Sequence, residues 1–300
     1  MKISFIITYY NEPADMLLEC IDSILALPIR RDEREIILVD DGSQQSPMTS
    51  LEDYKDSINY IYQQNQGLSV ARNTGIWHST GDYIQFVDSD DSLIVKGYEH
   101  VLELLRSEVP DMVMFRFATS KQDIHSSSEC KCYSGAEYLA LCNLRPAACA
   151  YTFRRAMLGT LRFKPGIYHE DELFTPILLL QVRQVYVILS TAYFYRQHES
   201  TITHTTDKEK IQRRLNDTHD NILAHSIMLQ QLHDIERQGM QRIVAQLTMT
   251  YLYNTMKLTH SITELCQRSH QLRDEGLIPL PLKCYTVKYL IFAALTHIFR

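Results

Sequence analysis

Missing first of all is any apolar run near the ~20 residues that a bilayer-spanning helix requires. Missing too is an excess of positive charge: 30 Lys and Arg stand against 36 Asp and Glu, a formal net charge of −6. That balance argues against a nucleic-acid-binding surface as the main function, and so against nucleic acid as a partner. Cysteine is sparse and odd in number, seven in 300 residues. Its one close pair, Cys130 and Cys132, has the spacing of neither a zinc knuckle nor a C-x-x-C redox motif. A reducing cytoplasm is the compartment that fits. Residues 1–11 hold one lysine and a short apolar run with no small-residue cleavage site, and read as a first strand rather than a signal peptide. No internal repeat and no long linker divides the chain.

What is present is an ordinary globular composition, 45% hydrophobic and 22% charged. The length suits one large α/β domain, or a catalytic domain with a helical appendage. The runs at 3–7 and 35–39 read as buried strands, 58–62 makes a third, and 83–87, apolar but for Gln85, reads as a strand buried on both faces. Between them, Met16, Leu17, Cys20, Ile21, Ile24 and Leu27 recur at helical spacing after Pro13, placed at a first helical position. Residues 68–78 predict a second helix. This alternation predicts a mostly parallel, doubly wound sheet, whose ligands bind beyond the carboxyl ends of the strands. Every acidic or polar cluster of the first third falls at such an end. Further on, 96–106 predicts a helix, 111–117 a strand, 121–133 a surface excursion, and 185–189 and 192–195 two short strands. Residues 207–270 are helical in composition, with Ile211, Leu215, Ile222, Leu223, Ile227 and Leu232 as a face.

The strand at 83–87 runs straight into Asp88-Ser89-Asp90-Asp91. Three carboxylates within four residues repel one another unless something neutralises them. One reading is a divalent cation, Mg²⁺ or Mn²⁺, held by the D-x-D pair Asp88 and Asp90. The other is an acidic turn that caps the next helix. Asp41 likewise reads either as a turn residue before Gly42 or as a buried acceptor. Arg72 reads as a solvated surface arginine or as a planar cation near phosphates or Asp88. Glu170-Asp171-Glu172 reads as a helix opening that favours the macrodipole, or as the home of a general base.

Four strings occur in order at these strand ends: Phe5-Ile6-Ile7-Thr8-Tyr9-Tyr10-Asn11, Val39-Asp40-Asp41-Gly42-Ser43, the run from Asn65-Gln66-Gly67 through Arg72-Asn73 to Gly75, and Phe86-Val87-Asp88-Ser89-Asp90-Asp91. Together they resemble the family 2 glycosyltransferases, inverting enzymes of the GT-A fold that use nucleotide-sugars. The close resemblance covers about the first third of the chain. A looser one continues through 168–174 and 195–203. It implies a GT-A catalytic domain at 1–205, Rossmann-like with its central sheet flanked by helices, followed by a helical C-terminal region at 206–300. It implies a donor site of Thr8, Tyr10, Asn11, Glu12, Asp41, Gly67, Arg72, Asp88 and Ser89, with Tyr10 against the base and Asp41 accepting from uracil N3–H. Thr8 stands where the family often has proline. It implies Mn²⁺ or Mg²⁺ on Asp90 and Asp88, and Asp171 as general base with Glu170 in reserve. The implied partners are a UDP-sugar donor and a saccharide or lipid-linked acceptor. His198 reads as a surface histidine, with metal ligation as the alternative. A sugar-phosphate nucleotidyltransferase would carry a Gly-rich first loop with a basic residue, and Thr8-Tyr9-Tyr10-Asn11-Glu12 has neither. A catalytically inactive binding subunit is disfavoured by the intact acids.

The tail, 283–300, recurs at helical spacing through Tyr285, Tyr289, Phe292, Leu295 and Phe299, with Lys283, Lys288 and Arg300 nearby. It predicts a helix packed on the protein's own core, with peripheral contact at the inner face of a membrane as the alternative.

Overall fold

The computed structural model describes residues 1–197 and 207–298. His198, the rest of the segment 198–206, Phe299 and Arg300 lie outside the described residues, and with them the histidine reading and the end of the 195–203 resemblance. The described residues form two compact units: 1–135, 146–166 and 177–197 make the first, and 136–145, 167–176 and 207–298 the second.

The first unit is built on a sheet whose parallel half is β1 (Ile3–Tyr9), β2 (Arg34–Asp40), β3 (Ile58–Tyr62) and β4 (Tyr83–Asp88), in spatial order β3-β2-β1-β4. β1 is buried along its whole length, as a strand covered on both faces must be. Helix α1 (Ala14–Leu25) buries Leu17, Cys20, Ile21 and Ile24, one stripe at three- and four-residue spacing. Pro13 is its cap, one position earlier than the sequence suggests. Helix α2 (Leu68–His78) lies so close to β1 that a Cβ on Gly75 would meet Ile6 Cγ2 at 2.2 Å, so only glycine fits there.

Beyond β4 the sheet turns mixed. After the short β5 (Ser92–Leu93) and helix α3 (Val95–Ser107) come β6 (Met112–Ala118), β7 (Cys130–Tyr133), helix α4 (Gly135–Leu141) and β8 (Tyr151–Arg154). Helix α5 (Glu170–Leu180) and β9 (Val185–Phe194) follow. β8 is antiparallel to both β4 and β6, β6 is parallel to β9, and β5 and β7 pair antiparallel with β9. Two sequence expectations are corrected here. The strands expected at 185–189 and 192–195 are one ten-residue strand, because the polar Ser190 and Thr191 between them are buried and bonded. Ser190 Oγ lies 2.6 Å from His100 Nδ1, and Thr191 Oγ1 accepts from the His125 amide at 3.0 Å. The excursion at 121–133 ends in an edge strand, β7, whose exposed Cys-Lys-Cys carries no hydrophobic alternation. Gln85, the polar residue inside β4, is satisfied in the core: it accepts from Thr152 Oγ1 at 2.6 Å and donates to the carbonyls of Phe86 and Cys149.

The second unit is helical: α4 apart from Gly135, the first turns of α5, then α6 (Lys208–Met228), α7 (Asp234–Thr259), α8 (Ile262–Asp274) and α9 (Val287–Ile298). Asp207 caps α6 by accepting from the amides of Glu209 and Lys210, and Ser261 caps α8 through the Glu264 amide. Ile211, Leu215 and Ile222 form the buried face expected of α6, whereas Ile227 is exposed. In α9, Tyr289 and Ala293 are buried. Among the described residues no helix is long and apolar enough to cross a membrane.

Candidate active site

The register of the parallel strands sets the site. Tyr9 lies beside Asp40, Thr8 beside Asp88, and Asp40 beside Tyr62, so four strand ends finish level. The two adjacent acids after β2 divide the work. Asp40 does the turn chemistry, accepting from the Ser43 amide at 2.8 Å and from the Tyr60 hydroxyl at 2.7 Å. Asp41 is 4% exposed and clamps the next loop. Its carboxylate accepts from the Gln66 amide at 3.0 Å, the Gly67 amide at 2.8 Å and Gln63 Nε2 at 2.6 Å. Gln63 is itself held by the Thr74 hydroxyl at 2.6 Å. Gly67, at φ 87, turns this loop into α2. On the β1 side, Asn11 bonds both ways to the facing turn, its amide to Ser43 Oγ and its Oδ1 from the Gln44 amide. Tyr9 donates its hydroxyl to the Glu12 carbonyl at 2.8 Å. Tyr10 is left 48% exposed, an aromatic ring open to a ligand.

The acidic turn is organised around buried partners. Arg72, 4% exposed, donates to Asp88 Oδ1 at 3.0 Å, with its guanidinium 5.9 Å and 5.4 Å from the ring centres of Phe86 and Phe163. It braces Asp88, one of the two roles the sequence left open, and is no solvated arginine. Asn73 buttresses the same region by bonding the Phe163 backbone in both directions. Asp91 turns inward, fully buried, and accepts from the Tyr193 hydroxyl at 2.7 Å and the Arg196 amide at 2.8 Å. The same tyrosine oxygen accepts from the Asp88 amide. Arg196 Nε donates to the Asp90 carbonyl at 2.8 Å, and its guanidinium pairs with Glu19. Burial, with the charges of Asp88 and Asp90, pushes the Asp91 carboxyl up to about 8.

The second acidic cluster opens α5 in the second unit. Glu170 is buried and Asp171 half-buried, while Glu172 Oε2 is buried without a hydrogen-bond partner. The helix start is held by Asn221 Nδ2, which donates to the His169 carbonyl at 3.0 Å, and by His225 Nε2–H, which donates to the Glu172 carbonyl at 2.9 Å. Burial, then the neighbouring charges of Asp171 and Glu170, push the Glu172 carboxyl from the ordinary 4.5 up to about 8. The folded state thus keeps a proton that the unfolded chain releases, and the associated stability, complete below pH ~4.5, is lost as pH rises towards 8. Glu172→Gln is expected to flatten the dependence of Tm on pH in this window. It should raise Tm above pH 8 by several degrees, because the variant leaves no carboxyl to ionise in that buried position. Melting curves across pH test this, and a parallel profile for the variant would show that Glu172 is ionised throughout.

The sequence profile of glycosyl transferase family 2 matches residues 4–158, more than half of the chain and the whole of the strand-end array. The chain belongs to glycosyl transferase family 2. It is 39% identical over 125 residues to the uncharacterized glycosyltransferase EpsJ of Bacillus subtilis (strain 168), a match covering 40% of this chain and 35% of EpsJ. To the putative glycosyltransferase EpsH of the same strain it is 27% identical over 224 residues, covering 69% and 64%. The chain thus spans about a third of the first relative's length and under two thirds of the second's. Among solved structures, S. aureus TarS 1–349 in complex with UDP-GlcNAc superposes with a TM-score of 0.70 at 18% identity, covering 94% of this chain and 82% of that one. The likeness shows a shared GT-A fold.

In this family 2 chain the first unit brings Thr8, Tyr10, Asn11, Glu12, Asp41, Gly67, Arg72, Asp88, Ser89 and Asp90 to the ends of β1 to β4, whereas Glu170 and Asp171 belong to the second unit. Sequence reasoning passed over Gln63, Tyr193 and the inward turn of Asp91. Nothing local marks Gln63 or Tyr193, since both act on residues distant in sequence. A metal fits the turn on the chemistry of its donors, the hard carboxylate oxygens of Asp88 and Asp90. Among the described residues no three or more His, Cys, Asp or Glu are grouped to enclose an ion.

Proposed function

We propose that the chain transfers a hexosyl or N-acetylhexosaminyl group from a UDP-sugar to a hydroxyl acceptor, inverting the anomeric centre. The observation that carries this reading is the alignment of Tyr10, Asp41 and the Asp88–Asp91 turn on level strand ends, where doubly wound sheets take their ligands. The half-exposed Tyr10 ring offers a flat face to the base. Asp41 has about four lone-pair positions, of which the loop takes three, so one remains for uracil N3–H. The UDP-GlcNAc bound to TarS supports uridine as the nucleoside.

Asp90 with Asp88 would hold Mg²⁺ or Mn²⁺, which when bound supplies charge neutralisation for the departing diphosphate. Arg72 fixes the orientation of Asp88. Asp171 takes the proton of the acceptor hydroxyl; it is supported by being the more open of the two candidate acids, Glu170 being buried. Residues 1–205 act as the catalytic domain and 206–300 as its helical companion. The acceptor is a saccharide or lipid-linked saccharide of surface polysaccharide or glycolipid synthesis, met in the cytoplasm at the inner face of the membrane.

A thermal-shift comparison tests the donor. UDP with Mn²⁺ is expected to stabilise the protein, by about 2.7 kcal/mol at a hundred times the dissociation constant. GDP with Mn²⁺ is expected to do far less. Equal stabilisation by the two would overturn the uracil assignment.

A further inference from the structure

A helix packed on its own unit buries one face and turns a polar face to water. α9 does not. Tyr289 and Ala293 are buried, but the opposite side carries Val287, 74% exposed, Ile291, 61% exposed, and the exposed Leu290 and Leu295. These four fall within one stripe at three- and four-residue spacing. The patch extends onto α7, where Tyr253 is exposed and receives Lys288 Nζ at 4.7 Å from its ring centre.

The side-chain charge of this last stretch of the chain is of one sign. The chain as a whole carries a formal −6, yet after Glu275 it contains no acidic side chain at all. Lys283 and Lys288, both exposed, flank the stripe. An apolar face flanked by lysines, with an aromatic ring at its border and no carboxylate, matches the demands of an anionic lipid surface. Aliphatic side chains enter the headgroup–acyl boundary, tyrosine sits at the interface, and lysines meet lipid phosphates.

We infer that the water-facing side of α9, with Tyr253, is a docking surface for an anionic bilayer. Such docking gives the enzyme a place beside a lipid-linked acceptor, but vesicle binding needs no donor, so it stands or falls separately from the transfer reaction. Flotation of the full chain with mixed phosphatidylcholine–phosphatidylglycerol vesicles, against pure phosphatidylcholine vesicles, tests it. The wild type is expected to float with the anionic vesicles, and less so as salt is raised. The double variant Ile291→Glu, Leu295→Glu is expected to lose binding roughly a hundredfold, each apolar side chain withdrawn from lipid accounting for about tenfold. Both positions face water, so its melting curve and UDP titration should match the wild type. Lys283→Glu with Lys288→Glu provides a second variant, expected to abolish the preference for anionic over neutral vesicles. Absence of wild-type flotation with anionic vesicles overturns the inference. So does a wild-type dimer in sedimentation that the Ile291→Glu, Leu295→Glu variant dissolves without any vesicle binding, which would give the surface to a second copy of the chain.

Discussion

Asp171→Asn is expected to bind UDP with near wild-type affinity and to lose ~10²–10⁴-fold in transfer, the usual worth of a general base. The amide occupies the same volume and keeps a hydrogen-bonding oxygen at the start of α5. It cannot accept the acceptor's proton. A general base meets the incoming hydroxyl and not the nucleotide, so UDP affinity should not register the change. Asp90→Asn is the contrast: it removes a carboxylate assigned to the donor's metal and should weaken metal-dependent UDP binding and transfer together. Glu170→Gln is the control, expected to do less because that side chain is buried. Calorimetric UDP titration and a sugar-transfer assay on each variant decide the matter. Retained transfer in Asp171→Asn would pass the role to Glu170. UDP binding lost as badly as in Asp90→Asn would make the acidic helix opening structural.

The parallel half of the fold was legible because its strands are short, mostly apolar runs and α1 keeps a 3.6-residue period. The expected 68–78 helix coincides with α2, and the strand at 58–62 with β3. The mixed half was less so, for a physical reason in each case. β9 hides a buried Ser-Thr pair whose hydroxyls are satisfied by His100 and by the backbone of the 121–133 segment, which composition cannot announce. β7 is an edge strand with no apolar side. At the site, residue types at strand ends marked positions that the fold brings together, because charge clusters there need partners. What the types alone left open was the division of labour. Asp40 and Asp41 are adjacent and chemically identical, yet one closes its own turn and the other anchors a loop more than twenty residues away. Asp88, Asp90 and Asp91 likewise differ only in what folds against them: an arginine for the first, and Tyr193 with the Arg196 amide for the last. Those partners arrive over long separations in sequence.

Arg72→Met is expected to destabilise the fold by about 3 kcal/mol, near the lower bound for a broken buried ion pair because Asp88 retains some exposure. Methionine fills much of the space between Phe86 and Phe163, so the loss would reflect charge rather than a cavity. Asp88 would then stand beside Asp90 and Asp91 without the Arg72 guanidinium, in a turn where burial, then the charges of Asp88 and Asp90, lift the Asp91 carboxyl to about 8. Arg72→Lys should fall between: it restores the charge but not the planar fork that lies near two rings and reaches Asp88. The decisive variant is the double one. If the arginine acts by neutralising Asp88, then Arg72→Met with Asp88→Asn should regain much of the stability that Arg72→Met alone loses, a coupling of about 1–3 kcal/mol between groups in contact. Urea unfolding of the wild type, both single variants and the double variant measures that cycle. Purely additive losses would mean that Arg72 serves only as packing between the two phenylalanines, and the brace on Asp88 would have to be sought in another cation.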